Sequence, residues 1–506
     1  MTDDQRPGHD HEESPETRFL TDQDPLADIA EPASDVLEHQ PPSAVVLTEE
    51  PSADLSVLDT RPTPGPPREY HFPAFERARL DSGLTVVTCH MPGRPLLAAG
   101  LVVTGGAAVF DPADRAGVSV LMARALTEGT TQRDAIGFIE ATERLGAEVH
   151  ADASWDAIVA GLEVPRSKFG PALGLLAEMV LAPAFPGHEV ERLRDERLND
   201  LLQARADPRR RAERIFAETV FDPAVPYSRP LAGVEETVKP LDRDAVAEQH
   251  QRLLAATGAT LVVAGDLTGL DATELAQQAF GGWQVGDGEV GRPPVAAHPA
   301  GPRLVLVDKP GAPQSEVRIG HLGLARRTPD FHAVSVLNAI VGGTFDSRLN
   351  RLLREDRGYT YSISSSFEMR RAGGPFTMRT AVHAESTVPA ITDALSVLRG
   401  IRETEVDDAE LATSRNYLVG VFPLRFEAAA QVSAALGGLI VQGLPDDELD
   451  RYRPGIGAVS AADVLAVARR HVRPDELSIV VVGDAASLEP QLRDADLPPL
   501  ERVASE

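Results

Sequence analysis

The sequence predicts an α+β protein built from two homologous α/β domains, and three observations carry that prediction. The first is an internal repeat. LTVVTCHMPG ends at Pro92-Gly93 and RLVLVDKPG at Pro310-Gly311, a shift of 310 − 92 = 218, while LVVAGD ends at Asp266 and IVVVGD at Asp484, again 484 − 266 = 218. The second is that short Val-rich runs and longer helical patterns are segregated within each half, which favours α+β over a doubly wound sheet. The third is the Gly- and Pro-dense stretch QVGDGEVGRPPVAAHPAGP, residues 284–302, whose composition suits a linker. The organisation that follows is an acidic tail over 1–69, an N-terminal domain over 70–283, the linker, a C-terminal domain over 303–487 and a C-terminal tail over 488–506.

In chain order, Leu84 to Val87 and Leu101 to Val103 read as strands, and helical patterns follow over 114–127 and 134–145. AEVHADASWDAIVAGLEV then reads as strand, residues 166–181 as a helix and 188–206 as a long charged helix. In the second half PDFHAVSVLNAIVGG and DSRLNRLLRED read as helices, and the serine-rich run from Tyr359 to Phe367 reads as a strand.

Net charge and cysteine content restrict function. The tail holds 17 Asp and Glu against 4 Arg, so it supplies 13 of the 28 net negative charges in only 69 residues. Rich in Pro and Ser and without an apolar period, it reads as disordered, and its acidity argues against nucleic acid or an anionic membrane as partner. No stretch has the roughly 18 consecutive apolar residues of a membrane span, and the start MTDDQRPGHDHEES lacks the features of a signal peptide, so a cytoplasmic location is the default expectation. Cys89 stands alone, which excludes an intramolecular disulfide and any CxxC metal or redox site. Gly286, Gly288 and Gly291 spell GxGxxG, but the Pro-rich stretch behind them opens no helix, so nucleotide binding has no support.

Several segments together resemble the pitrilysin/insulinase family of metallopeptidases, over roughly Phe75 to Asp484. They are GVSVLMARALTEGT (117–130), FPGHEVERLRDERL, VPYSRPLAGVEETVKPL (225–241) and, most specifically, SRLNRLLREDRGYTYSISSSF (347–367). The resemblance extends to the non-metal subunits of bacterial heterodimeric members and to mitochondrial processing peptidase-like proteins. It implies a mixed, largely antiparallel sheet flanked by helices in each domain.

In that family the first of these helices carries the inverted motif HxxEH, two His binding zinc and a Glu acting as base. Here the three positions fall on Val120, Ala123 and Arg124, and none can serve. The family's third ligand, eight residues before an Asn-Pro or Asp-Pro step, falls on Asp200. One carboxylate is not a catalytic zinc site, which needs about three protein ligands. The expectation is therefore no metal and no cofactor on this chain, with Asp200 a solvated acid that pairs with Arg124 if the folded geometry follows the family. His150 falls where the family has a strand that helps to bind substrate, but no second His or Cys stands at ligand spacing.

The second half keeps what the first has lost. The Arg and Tyr, four apart, with which the family's C-terminal domain holds the substrate near the metal fall on Arg357 and Tyr361. A guanidinium and a phenol can both donate to a scissile carbonyl and to the oxyanion that develops from it. In isolation, Arg357 capping a helix and Tyr361 packing in a strand would explain the same residues. The resemblance implies a substrate-holding role for the pair, a homologous partner subunit with an intact HxxEH and its zinc, and peptide substrates. The alternative is a non-proteolytic scaffold or peptide-binding protein of the same fold.

Overall fold

Continuous Val- and Leu-rich runs form the central strands of two six-stranded mixed sheets in the computed structural model, which describes residues 65, 67–255, 258–286, 291, 293 and 301–503. The acidic tail and most of the 284–302 linker lie outside the described residues. The first sheet contains β1 (Phe75–Arg79), β2 (Thr85–His90), β3 (Leu96–Thr104), β4 (Glu148–Ala153), β5 (Ala157–Pro165) and β6 (Ala259–Gly265), in the order β1-β2-β6-β3-β5-β4. The second contains β7 (Arg303–Asp308), β8 (Gln314–Leu322), β9 (Ile363–Phe367), β10 (Pro375–His383), β11 (Ser478–Gly483) and β12 (Leu500–Val503), in the order β12-β7-β11-β8-β10-β9. Only β2/β6, β7/β11 and β7/β12 pair in parallel; every other neighbour is antiparallel.

The repeat read from the landmarks is kept without offset by three strand pairs, and to within one residue by β6 and β11, whereas the edge strands β1 and β12 come from opposite ends of their halves. Adding 218 to the bounds of β2, β3 and β5 gives 303–308, 314–322 and 375–383, the bounds of β7, β8 and β10. β4 departs from the register: its first residue maps to 148 + 218 = 366, whereas β9 starts at 363.

Two sequence expectations need correction here. Residues 488–506 are not simply a tail, because the helix Ala485–Asp494 runs into them and β12 adds an edge strand beside β7. β12 has four residues, two of them charged, too few to show a period; its tertiary contacts hold it, with Arg303 pairing with Glu501 at 2.6 Å and Arg502 with Asp308 at 2.8 Å. The strand expected from Tyr359 begins only at Ile363. Before it, Thr360 Oγ1 donates to Ala381 O at 2.7 Å and so holds residues 357–362 as a turn.

Neighbouring residues of a strand face opposite ways, and here both faces are buried. Leu97, Ala99, Leu261 and Val263 pack on helices of their own half, among them Phe169–Leu181. Val87, Cys89, Ala98, Val262 and Ala264 point to the other face, where Val432, Leu436 and Leu439 of helix Ala429–Gln442 cover them. That helix comes from the second half. The second sheet is covered reciprocally: Ala212, Ile215, Phe216 and Val220 of helix Pro208–Val220, from the first half, lie on Val305, Val307, Val480 and Val482. Each of the Val, Leu, Ile and Phe side chains among them contributes about 1.5–3 kcal/mol of burial, and the two halves form one compact unit, Pro67–Glu506. Buried Asp156 adds a polar tie, accepting from Tyr227 Oη at 2.9 Å and from the backbone N–H of Arg371 at 2.9 Å.

Burial pushes the Cys89 thiol up to about 11, in keeping with a small strand residue rather than a nucleophile. Among the described residues no single helix is long and apolar enough to cross a membrane; the one bent pair that passes by composition includes Ala429–Gln442, whose apolar face lies on the first sheet.

Candidate functional site

The degenerate motif lies on helix Val118–Ala125, and its frame is firmly built. Gly117 enters the helix at φ 97°, and a Cβ there would lie 2.7 Å from the carbonyl carbon of Ala232, so only glycine fits this close approach. Asp111 accepts from the N–H groups of Gly117 at 2.9 Å and Ser119 at 3.2 Å, capping the first turn from outside the helix. Gln249 Nε2 adds bonds to Ser119 Oγ at 2.8 Å and Asp111 Oδ1 at 3.3 Å. Burial raises the Asp111 carboxyl to about 6 despite these donors.

On this frame Val120 is half-buried, Ala123 is fully buried and Arg124 is exposed. Arg124 reaches the neighbouring helix Gly187–Ala206, where its Nη2 donates to Glu196 Oε2 at 3.1 Å. It does not pair with Asp200, because Asp200 is already taken. Arg210, from the next helix, grips its carboxylate with bonds of 2.6 and 2.8 Å, and Arg197 adds a further ion pair. The Arg210 bonds hold the Asp200 carboxyl below the usual range. Arg197 also donates to Ala232 O at 2.9 Å and Gly233 O at 3.2 Å, tying the charged helix to the loop against Gly117. Spacing along the chain located Asp200 but not its partners. Arg210 lies across the Ala206–Asp207 break between two helices, and no helical period links them.

In the second half, buried Asn350 sets the position of the Arg357–Tyr361 turn. Its amide donates to Ile363 O at 2.9 Å and to Ser347 Oγ and Thr344 O at 3.2 Å, while its Oδ1 accepts from Ile363 N–H at 3.3 Å. The SRLNRLLRED run is thus a short α-helical turn, Arg348–Asn350, continuing as a π-helix, Arg351–Asp356. The backbone N–H of Arg357 closes it onto Leu352 O at 3.0 Å, so the capping reading holds for its main chain. Its side chain is half exposed and donates through Nε to Asp393 Oδ2 at 3.0 Å. Tyr361 lies outside β9 and is 89% exposed, so it does not pack in a strand. The Arg354 guanidinium lies 5.5 Å from its ring centroid and 4.2 Å from that of Phe345, itself exposed. Among the described residues the phenol and both terminal nitrogens of Arg357 have no hydrogen bond, and neither side chain bonds to Arg124 or Asp200.

Known proteins match this arrangement along most of its length. The family model described as Insulinase (Peptidase family M16) matches residues 85–231, and the one described as Peptidase M16 inactive domain matches residues 240–418. The chain belongs to the insulinase family, M16. Relatives include a Mycobacterium tuberculosis protein named an uncharacterized zinc protease, 26% identical over 83% of this chain and 96% of its own. A Helicobacter pylori protein named non-peptidase homolog YmxG is 21% identical over 76% of this chain and 88% of its own. A crystal structure of a peptidase M16 inactive domain from Pseudomonas fluorescens superposes with a TM-score of 0.73 at 24% identity, over 81% of this chain and 98% of that one. A protease from Helicobacter pylori superposes at 0.75 and 17% identity, over 82% and 100%.

The family's zinc does not fit this M16 chain. Val120 and Ala123 offer no donor, Arg124 brings a positive charge, and two arginines already satisfy Asp200. Among the described residues no group of three or more His, Cys, Asp or Glu is placed to hold a metal ion. With its motif residues replaced in this way, the chain is a catalytically inactive M16 member. His150 lies on β4, whose outer edge has no paired strand. A cavity of about 670 Å³ opens there, lined by Glu148, His150, Glu163 and small residues of helix Ala429–Gln442. Gly161, opposite His150, leaves room for the imidazole, since a Cβ would meet it at 2.6 Å.

Proposed function

We propose that this chain is the non-metal subunit of a heterodimeric zinc peptidase. It would lend Arg357 and Tyr361 to a homologous partner with an intact HxxEH motif and its zinc, for the cleavage of peptides or unfolded segments. The contrast between the two halves is the observation that supports this most. The motif helix carries Val120, Ala123 and Arg124 on an intact frame, while Arg357 and Tyr361 turn donors without a protein partner to solvent. Asp393 fixes the Arg357 fork by its Nε, which leaves the terminal nitrogens for a carbonyl oxygen. The Tyr361 phenol is a second donor. Such donors act most strongly where a partner excludes water and the oxygen gains charge.

The test is to mix the purified chain with a homologous HxxEH subunit and follow cleavage of an unfolded peptide. Activity is expected from the mixture and from neither chain alone. Arg357→Ala and Tyr361→Phe should each lower kcat by about 10²–10³, the range for loss of one oxyanion donor, while sedimentation shows the dimer unchanged. Unimpaired cleavage by both variants rejects the role. The second reading is a non-proteolytic scaffold or peptide-binding protein, favoured by the relative named non-peptidase homolog. It would be supported if the mixture bound peptide without cutting it.

A further inference from the structure

A second cavity, of about 420 Å³, lies away from Arg357 and Tyr361, between helices Gly187–Ala206 and Pro208–Val220, the loop that follows Tyr227, and β10. Its composition is unusual for the surface of so acidic a chain, since eight arginines and four glutamates line it. Its apolar wall is made by Trp155, Leu201, Phe216, Phe221 and Leu231.

Most of the arginines are committed: Arg205 to Glu235 at 2.6 Å, Arg197 and Arg210 to Asp200, and Arg379 to Glu213 at 3.3 Å. Arg229 is not. Its Nη1 donates to Ala113 O at 3.1 Å, among the described residues it forms no ion pair and has only the longer-range attraction of Asp111, and its Nε is buried without a hydrogen-bond partner. Arg370 holds Glu368 at 2.8 Å but keeps Nη1 buried without a partner. Its guanidinium carbon lies 4.8 Å from the Tyr227 ring centroid and 5.4 Å from that of Trp155, so aromatic rings hold the group in place. Thr377 is only 1% exposed, and its Oγ1 has no partner either. Four buried donor atoms without a hydrogen-bond acceptor, Arg379 Nε among them despite its ion pair with Glu213, therefore belong to residues that line one cavity, and that lining holds more arginine than glutamate.

Buried donors are normally satisfied, and what is missing here is an acceptor. We propose that the cavity binds a carboxylate carried on an apolar body. The carboxylate would accept from Arg229, Arg370 and Thr377, and an aromatic or branched side chain would lie against Trp155 and Phe221. The volume suits a single aromatic residue or a small aryl acid. The C-terminus of a peptide and a free aryl carboxylate share this chemistry. A bare inorganic anion would leave the apolar wall uncovered. The inference does not depend on a peptidase partner, so either can fail without the other.

Calorimetric titration of the full chain with N-acetylphenylalanine, N-acetylphenylalaninamide, 3-phenylpropionate and inorganic phosphate tests it. Both carboxylates should bind one to one, and the amide and phosphate at least about tenfold more weakly, as the loss of a charge-assisted bond or of apolar contact requires. Tighter binding of N-acetylphenylalanine than of 3-phenylpropionate identifies a peptide end as the occupant, and the reverse identifies a free acid. Arg229→Gln should weaken either acid about tenfold. Thr377→Val should weaken it by a smaller factor while leaving the melting temperature unchanged or raised, because an unpartnered hydroxyl is being removed. Equal affinity for acid and amide, phosphate binding as tight as either acid, no detectable binding of any acid, or acid binding untouched by both substitutions would overturn the proposal.

Discussion

Arg124 shows how a single residue sets the chemistry of a helix surface. Where the family resemblance aligns a zinc ligand, its guanidinium has no lone pair for a metal and supplies a fixed positive charge, and Glu196 holds it in place at 3.1 Å. Asp111 carries a more quantitative consequence. Its carboxyl is raised to about 6 by burial, so the folded state binds this proton more tightly than the unfolded chain. The associated stability is present in full below the ordinary carboxylate value near 3.8 and is lost as pH rises through about 6. The rise from near 3.8 to about 6 corresponds to roughly 3 kcal/mol. The stability difference between wild type and Asp111→Asn, measured by urea unfolding, should therefore shrink by up to about that amount between pH 4 and pH 7. A difference constant with pH would show that Asp111 titrates normally.

At the scale of elements, the turn that presents Arg357 and Tyr361 depends on one amide. Asn350 is 7% exposed and bonds the start of β9 through both ends of its side chain. Asn350→Ala should cost about 2–4 kcal/mol, since it leaves buried backbone groups of Ile363 unpaired. The same substitution should lower peptidase activity of the mixed chains at temperatures where the protein is still folded, a readout that a purely structural role would not move. The motif helix is equally particular. Gly117→Ala would force a Cβ against Ala232 at 2.7 Å in a left-handed conformation, and a loss of at least about 1–3 kcal/mol is expected in thermal unfolding. Both elements were visible in the sequence as motifs. By its local pattern the SRLNRLLREDRGYTY stretch predicts a helix and then a strand, but its π-helical end and exposed turn accompany the bond of Asn350 across to Ile363, a contact that no local period encodes.

Over the whole molecule, the exchanged helices make each half depend on the other. Leu436 is 1% exposed on a second-half helix yet packs on the first sheet. Leu436→Ala should cost about 2–5 kcal/mol, and calorimetry should show residues of both halves unfolding in one transition shifted to lower temperature. Two separate transitions would show that the exchange does not couple the halves. Deleting residues from 498 onward removes β12 and bares the edge of β7, which should lower stability and promote association through that edge, measurable by light scattering.

The amino-acid sequence alone carries the two-fold repeat and its register of 218, and the residues Val120, Ala123, Arg124, Arg357 and Tyr361 that the resemblance aligns with the family's motif and substrate-holding positions. These are properties of order and spacing, legible wherever a pattern is local or is repeated. Only the tertiary structure decided which helix covers which sheet, that β12 completes the second sheet, that Asp200 belongs to Arg197 and Arg210, and that Arg229, Arg370 and Thr377 share a cavity. Apart from the i,i+3 pair of Arg197 and Asp200, these depend on contacts between residues that no helical or strand period links. Burial and electrostatics select such contacts only once the two halves have packed together.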